Sequence, residues 1–494
     1  MRRPSSVAIL ALILTAYFGL GLATVLTRAP WQDEAWFGSP AYNLAYRGFL
    51  GTTILDPASS TWKSVDLTGI DRHTYWVMPL SLLVNAASFR IFGLGSVAMR
   101  MPSLLFGLVF LLAWWSILRR LGAPDEVRIA ALLLIAVDYH FQMQAADGRM
   151  DAMALGLGYA GLACYLVLRK HSLVKAVAVS QTLAAASFFT HPNGVLPALL
   201  LVCTAVYLDR KQLRAALLPV AVIPYLAIGG AWAVYIAQAP ADFRAQFLGN
   251  AAGRGPTITA PVEALRMEIV NRYMANFGLA EWTSPSGRLN LVPLIILLAG
   301  TAVCFAIGEL RRHPGYRLIL IWTAITAVYL TWFEGLKTHF YLLYVTPLYS
   351  VLCAIAAHWL WTRRPRWRVA VSGAVALLVL LQAGRTLVIA RRNPKASAFL
   401  PAVRYIQQHF TPATFIMGNG GLMFGLGPDW NLLDDFRLGY NSGKRPEAIV
   451  VEEVWGDRIL MLKEQHPEIW EHVQRTLSNY REVYNERGYR ILVR

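Results

Sequence analysis

The chain has 494 residues, 56% of them hydrophobic and only 15% charged, where a soluble domain carries about 25% charge. Its 46 Lys and Arg outnumber its 29 Asp and Glu, but they are spread over six short clusters, which argues against the one-sided basic face of a nucleic-acid binder. The four cysteines, Cys164, Cys203, Cys304 and Cys353, fall inside apolar runs without CxxC spacing, which makes them small apolar side chains and not disulfide or metal partners.

In chain order, the basic clusters are Arg2/Arg3 and then 119–128, 169–175, 209–214, 309–317 and 363–368. Short loops rich in Lys and Arg stay on the cytoplasmic face, and a crossing needs about 20 apolar residues. Spans are predicted near 7–26, 99–118, 127–145, 152–168, 173–190, 194–208, 215–237, 289–308, 317–333, 339–361 and 369–390. The first resembles a signal peptide, but its apolar stretch is long and no small-residue cleavage site precedes Trp31, so an uncleaved span is expected. The run 76–93 is read as an interfacial amphipathic helix. A crossing there would send Arg119/Arg120, Arg169/Lys170 and Arg363/Arg364 outward, against the positive-inside bias. Eleven spans result, with the N-terminus inside and the C-terminus outside.

The outward segments are a long first loop (27–98), the turn 147–151, the turn 191–194, the long loop 238–288 and the turn 334–338. Residues 1–394 then form a transmembrane domain. Residues 395–494, where hydropathy drops, form a soluble outer α/β domain, with a helical run at 401–410 and strands at 414–417, 448–451 and 489–493. The glycine-rich stretch 418–427 lacks GxGxxG followed by an amphipathic helix, so no nucleotide site is expected there. Trp430, Trp455 and Trp470 are expected in the core of that domain, not stacked on sugar.

Charged residues on the outward side are the candidates for chemistry. Asp33 and Glu34 sit in Trp31-Gln-Asp-Glu-Ala. They read either as a solvated pair capping a short helix that starts near Ala35, or as a general base for a hydroxyl acceptor, worth about 10²–10⁴ in rate. Asp147, Arg149 and Asp151 share the second turn. Asp151 serves a helix dipole on one reading, while charges at the mouth of an apolar bundle mark a site on the other. Asp138 and His140 lie deeper, as a polar helix face or part of a site. Asp71 and His73 end the first loop and His191 opens His-Pro-Asn-Gly. Turn histidines are usually structural, but two of them with several acids leave a divalent metal site open. Lys337, His339 and Tyr341 start a span, where lysine acts as a point charge for phosphate or snorkels to the interface.

In order and sidedness these features resemble the GT-C superfamily of membrane glycosyltransferases, nearest to the group of protein O-mannosyltransferases and lipid A aminoarabinose transferases. The marks are Asp33-Glu34-Ala35, Phe92-Gly93 with Arg100-Met101-Pro102-Ser103, Arg149-Met150-Asp151-Ala152, and Lys337 to Tyr341-Leu342-Leu343 with Pro347. They cover roughly residues 7–390. The resemblance implies a polytopic α-helical GT-C fold and a polyprenyl-phosphate-linked sugar as donor, reacting at the outer face of a cell membrane. The acceptor is a lipid, a polysaccharide or a protein. Asp33 maps to the base with Glu34 beside it, Asp151 to a second acid that orders the site, and Lys337 to the lipid-phosphate contact, with Arg149 and Tyr341 next to it. Relatives carry a Glu-Lys-Pro-Pro-like stretch where this chain has Asp71 to Pro79. A Mg or Mn ion held by Asp71, His73 and His191 is therefore only a candidate. A lone base with direct displacement implies inversion at the anomeric carbon. The outer loops have no Asn-x-Ser/Thr sequon, which fits a bacterial inner membrane. A transporter of lipid-linked sugars and a non-catalytic scaffold are the rival readings. Transporters usually show internal repeats and midplane charges, and neither is visible here.

Overall fold

Apolar runs in lipid fold as helices because every backbone N–H and C=O must be satisfied within the segment. The computed structural model describes residues 6–58, 65–252, 254–255, 257–277 and 284–494. Arg2 and Arg3 lie outside the described residues. The helices up to residue 236 are α1 (Ser6–Thr27), α2 (Gln32–Arg47), α3 (Pro79–Phe92), α4 (Ser96–Arg120), α5 (Asp125–Val137), α6 (Tyr139–Ala145), α7 (Asp151–Leu168), α8 (Leu173–Thr190), α9 (Val195–Asp209) and α10 (Leu217–Ile236). Later come Pro285–Ala306, Pro314–Val328, Thr346–Arg363 and Arg368–Arg392. Among the described residues, nine helices are long and apolar enough to cross a membrane, and they coincide with nine of the eleven predicted spans. The protein is a multi-pass membrane protein.

The other two predicted spans are segmented. The 339–361 span is a 3-10 turn, His339–Tyr344, followed by Thr346–Arg363. The 127–145 span breaks at Asp138, whose backbone (φ −57°, ψ 123°) leaves the helical conformation between α5 and α6. Its buried carboxylate accepts from Phe141 N at 2.8 Å, Thr346 Oγ1 at 3.2 Å and Gln382 Nε2 at 2.9 Å. Those bonds replace what the broken helix gives up, so Asp138 is a polar knot between helices. The run read as interfacial contains α3, 14 residues long. That is about 21 Å at 1.5 Å per residue, too short to cross, and α3 packs instead on α2 and α4.

The basic clusters beyond residue 100 gather at one end of the bundle. Arg169 Nη2 meets Asp209 at 2.5 Å, Tyr207 reaches Pro314 O at 3.5 Å, and Arg363 meets Glu309 at 2.7 Å. A Cβ on Gly122 would lie 3.9 Å from His313. The predicted outward turns converge at the opposite end. The four cysteines are free.

Beyond residue 400 a helix, Leu400–His409, leads into a five-stranded sheet of order β2-β1-β3-β5-β4. The strands are β1 (Ile416–Gly418), β2 (Leu432–Leu433), β3 (Ala448–Val451), β4 (Arg481–Glu486) and β5 (Tyr489–Val493). β1 runs parallel to β2 and β3, while β5 is antiparallel to β3 and β4. The three predicted strands are present within two residues. β2 is too short to show a period, and β4 is a polar edge strand. Alternation along the strands feeds two cores. Met417, Ile449 and Leu492 face Trp455 and the helices Glu453–Gln465 and Pro467–Leu477. Ile416, Val450 and Ile491 share a core with Trp36 and Phe37 of α2 and Phe89 of α3. Trp455 is fully buried and Trp430 and Trp470 pack on these cores, as expected. The glycine-rich stretch forms the seam with the first loop. A Cβ on Gly421 would sit 2.8 Å from Pro30 O, and one on Gly420 3.0 Å from Asp434.

Candidate active site

Two adjacent acids open α2, where the positive end of the helix favours them, but 100° of rotation per residue sends them to different places. Glu34 Oε2 accepts from Trp31 N at 3.2 Å, so it caps the helix as read, but the helix starts at Gln32 and not near Ala35, and the carboxylate is buried and not solvated. Its carboxylate also takes Arg100 Nε at 2.5 Å, Arg100 Nη2 at 2.7 Å and Gly148 N at 3.1 Å. Arg100 donates its remaining protons to the carbonyls of Val25, Arg28 and Ala29. Burial alone would raise the Glu34 carboxyl, but the Arg100 guanidinium holds it below its ordinary value. Both side chains are 0% exposed. Glu34 is thus a cross-link between the first loop, α4 and the 147–151 turn, and it does not reach the cavity.

Asp33 turns the other way. It is 15% exposed and lines a cavity of about 490 Å³. Its Oδ2 pairs with Arg149 Nη1. Arg149 Nε donates to Asp151 Oδ2 at 3.0 Å, and the guanidinium lies 4.1 Å over the Phe340 ring. Asp151 starts α7 and is fully buried; its Oδ1 is 3.6 Å from His191 Nε2. His191 Nδ1 accepts from Asn193 N at 3.0 Å, so the ring proton of the neutral form sits on Nε2, facing Asp151. Burial pushes His191 down to about 4, so it is neutral at pH 7. Behind Asp33, Asp147 takes Trp31 Nε1 at 2.9 Å and Arg28 Nη1 at 3.4 Å, and burial pushes its carboxyl up to about 6.

The same cavity is lined by Tyr341, Arg254 and Arg458. Arg254 Nη1 reaches Tyr341 Oη at 3.5 Å, and its buried Nε has no hydrogen-bond partner among the described residues. Sequence reasoning passed over both arginines, because neither sits in a motif and both approach from distant segments. The only signal was that each is a basic residue in a segment predicted to face outward.

Lys337 does not line the cavity. Its Nζ donates to the carbonyls of Leu330 and Thr331 at 2.6 Å and of Glu334 at 2.5 Å, with Glu268 at 3.5 Å. It closes the C-terminal end of a helix from behind, and burial lowers its ammonium below the usual lysine value. The proposed metal ligands do not converge. Asp71 is exposed, His73 Nδ1 meets Asp242 at 3.2 Å and His191 faces Asp151. Among the described residues, no three His, Cys, Asp or Glu side chains come together as a ligand group. The residues present do not fit the expected ion, and no step is derived through it.

No family model matches the sequence, and no curated protein matches it. Solved structures match in shape. ArnT from Cupriavidus metallidurans bound to undecaprenyl phosphate superposes with a TM-score of 0.62 at 16% identity, over 98% of this chain and 97% of that one. Its apo state gives 0.60 at 15% identity over the same shares. The apo oligosaccharyltransferase of Archaeoglobus fulgidus gives 0.53 at 11% identity, over 97% of this chain and 73% of that one. This is the GT-C fold. The motif order predicted it, and the ArnT match extends it through the small C-terminal domain.

Proposed function

We propose that this GT-C protein is a membrane glycosyltransferase that moves a sugar from a polyprenyl-phosphate donor to an acceptor hydroxyl at the outer face of the membrane. The observation that carries the reading is Asp33. Of the three clustered carboxylates named for catalysis, it alone has exposure, at 15%, while Glu34 and Asp151 have none, and it lines a cavity whose wall also carries Arg149, Arg254 and Tyr341. Support for the donor class comes from ArnT, which shares the fold and is bound to undecaprenyl phosphate.

In this reading the acceptor O–H gives its proton to Asp33 while its oxygen bonds to the anomeric carbon. The bond from that carbon to the phosphate oxygen breaks, and polyprenyl phosphate leaves with the electron pair. Arg254, with Tyr341 beside it, binds the leaving phosphate, and such preorganised donors act where charge develops. Arg149 holds Asp33 in place, and Asp151 with neutral His191 holds Arg149. Direct displacement gives inversion. The basic end of the bundle faces the cytoplasm, and the cavity and residues 395–494 lie outside.

The test is a transfer assay. Purified protein in lipid is offered polyprenyl-phosphate sugars and nucleotide sugars, with wild type and Asp33→Asn compared for donor consumption. Consumption of a lipid-linked sugar by wild type only is the expected result. No consumption of any donor, with lipid-linked sugar still bound, would move the protein to the transporter or scaffold class. Retained anomeric configuration in the product would rule out the one-base displacement.

A further inference from the structure

The long loop 238–288 contains a helix whose faces are inverted. The run 261–274 is helical throughout, as an α-helix over Pro261–Met267 and wider π turns over Glu268–Met274. A helix on the surface of a globular protein turns its charges out and its apolar residues in. Here Glu268 and Arg272 are buried, at 4% and 0% exposure, while Val262, Leu265 and Ile269 stand out at 81%, 44% and 47%. Spacing sorts the residues into stripes. Ala264, Glu268 and Arg272 recur at every fourth position and make the buried one, and Val262, Leu265 and Ile269 recur at i, i+3 and i+7 and make the apolar one. Glu263 and Arg266 form an exposed ion pair at 2.6 Å beside them.

The buried stripe fixes where the helix sits. Arg272 Nη1 donates to both oxygens of Glu268 at 2.7 Å and to Leu330 O at 3.2 Å, its Nε donates to Thr338 O at 3.3 Å, and its Nη2 pairs with Glu334. Trp332 Nε1 donates to Pro261 O at 3.2 Å. Leu330 and Trp332 belong to the last turn of the apolar span Pro314–Phe333. The helix is therefore clamped to the end of a membrane span, next to Phe333 and Glu334 of the cavity wall. Tryptophan is enriched at that depth, where hydrocarbon meets the headgroups. The same end of the span also exposes Val328 and Phe333, so the apolar stripe adjoins surface that already faces lipid. Left in water, each large apolar side chain of the stripe would forgo up to about 1.5–3 kcal/mol of burial. Against acyl chains it forgoes nothing.

We propose that 261–274 is an interfacial helix whose stripe of Val262, Leu265 and Ile269 lies in the acyl chains of the bilayer, with the Glu263–Arg266 pair among the headgroups. The occupant of the stripe is lipid, and not a protein partner or a second copy of this chain. The inference goes beyond the transferase reading and does not rest on it, since it needs only the span and the helix clamped to it. It also places Arg272, which holds the wall residue Glu334, one helix width from the lipid.

The experiment uses full-length protein in phosphatidylcholine nanodiscs, as wild type, Val262→Cys, Ile269→Cys and Arg266→Cys. The last removes only an exposed ion pair, which adds almost nothing to stability, and wild type gives the background of the four native cysteines. Two quantities are measured: the rate of labelling by a charged, membrane-impermeant maleimide, and the quenching of a bimane attached at the same cysteine by a phosphatidylcholine with doxyl on its acyl chain. Val262→Cys and Ile269→Cys should label about ten-fold more slowly than Arg266→Cys, because the thiolate is the reactive form and apolar surroundings disfavour it. Their bimanes should be quenched by the doxyl lipid, and the bimane of Arg266→Cys much less. Stripe cysteines that label as fast as that of Arg266→Cys would place the stripe in water and overturn the proposal. Slow labelling without quenching by the doxyl lipid would overturn it too, because protein and not lipid would then cover the stripe.

Discussion

At the basic end of the bundle Arg363 and Glu309 meet with side chains 62% and 54% exposed, whereas at the other end Arg100 and Glu34 meet with both side chains at 0%. Water competes for the first pair and screens it, so it adds almost nothing to stability. The second pair has lost its water, and only its mutual geometry and the surrounding carbonyls compensate. The contrast separates two uses of the same residue types. At the basic end, the Arg clusters are predicted to decide which side the loops occupy. At the cavity end, charge fixes where atoms sit, because a desolvated ion has few arrangements it tolerates.

The largest effect should come from Asp33, the one proposed catalytic acid that lines the cavity. Asp33→Asn keeps shape and size but removes the proton acceptor, and a positioned base is worth about 10²–10⁴ in rate. Transfer should fall by that factor while the melting temperature in detergent stays near wild type. Near-normal turnover would remove Asp33 from the base role. Next is the neighbouring acid. Glu34→Ala leaves Arg100 buried and unpaired, which costs about 3–5 kcal/mol. The variant should melt far below wild type or fail to accumulate in the membrane. The double change Glu34→Met with Arg100→Leu removes both charges and should recover much of that loss. If the double variant is no better than Glu34→Ala, the pair is not the source of the cost.

How far this division was legible depends on the range of the interactions. Nine of the eleven predicted spans follow from local apolar runs and could be read directly, whereas the break at Asp138 is held by Thr346 and Gln382, far along the chain. The alternation of Ala448-Ile-Val-Val and Tyr489-Arg-Ile-Leu-Val marked β3 and β5 for the same reason. Asp33, Arg149, His191 and Tyr341 were picked from four separate segments, and the structure brings them to one wall. Glu34 was grouped with Asp33 because sequence does not show helix phase, nor that Arg100, 66 residues on, would claim it. Lys337 was assigned to phosphate because a lysine at a span end looks the same whether it faces a ligand or the carbonyls behind it. Arg254 and Arg458 lie in no motif, and only the folded chain brings them to Asp33.

A smaller effect separates two groups behind the same wall by pH. Burial raises Asp147 from an ordinary 3.8 to about 6 and lowers His191 from 6.5 to about 4. A raised carboxyl contributes stability that is fully present below its unfolded value and is lost as pH rises through about 6. A lowered histidine contributes stability that is present above 6.5 and is lost as pH falls toward 4. Melting temperatures of wild type and Asp147→Asn, compared from pH 4 to pH 7, should therefore diverge in one sense, with the variant gaining on wild type as pH rises. For His191→Gln the sense reverses, and wild type gains as pH rises. Parallel curves for either variant would show that its group does not titrate differently in the folded and unfolded chains.

The smallest effect tests the other end. Arg363→Ala removes an exposed partner of Glu309, and neither residue loses solvation when the pair forms. The variant should keep its melting temperature and its turnover within error. What should respond is orientation, which depends on the sum of basic residues near the ends of the spans and not on any one contact. Replacing Arg363, Arg364, Arg366 and Arg368 together by glutamine should therefore leave unfolding in detergent nearly unchanged. In cells it should allow some chains to insert with the 363–368 loop outside, as read by labelling a cysteine introduced in that loop with an impermeant reagent. A melting temperature that falls with each successive substitution would mean these arginines carry packing or ion-pair energy after all. The contrast between the two ends would then be one of degree.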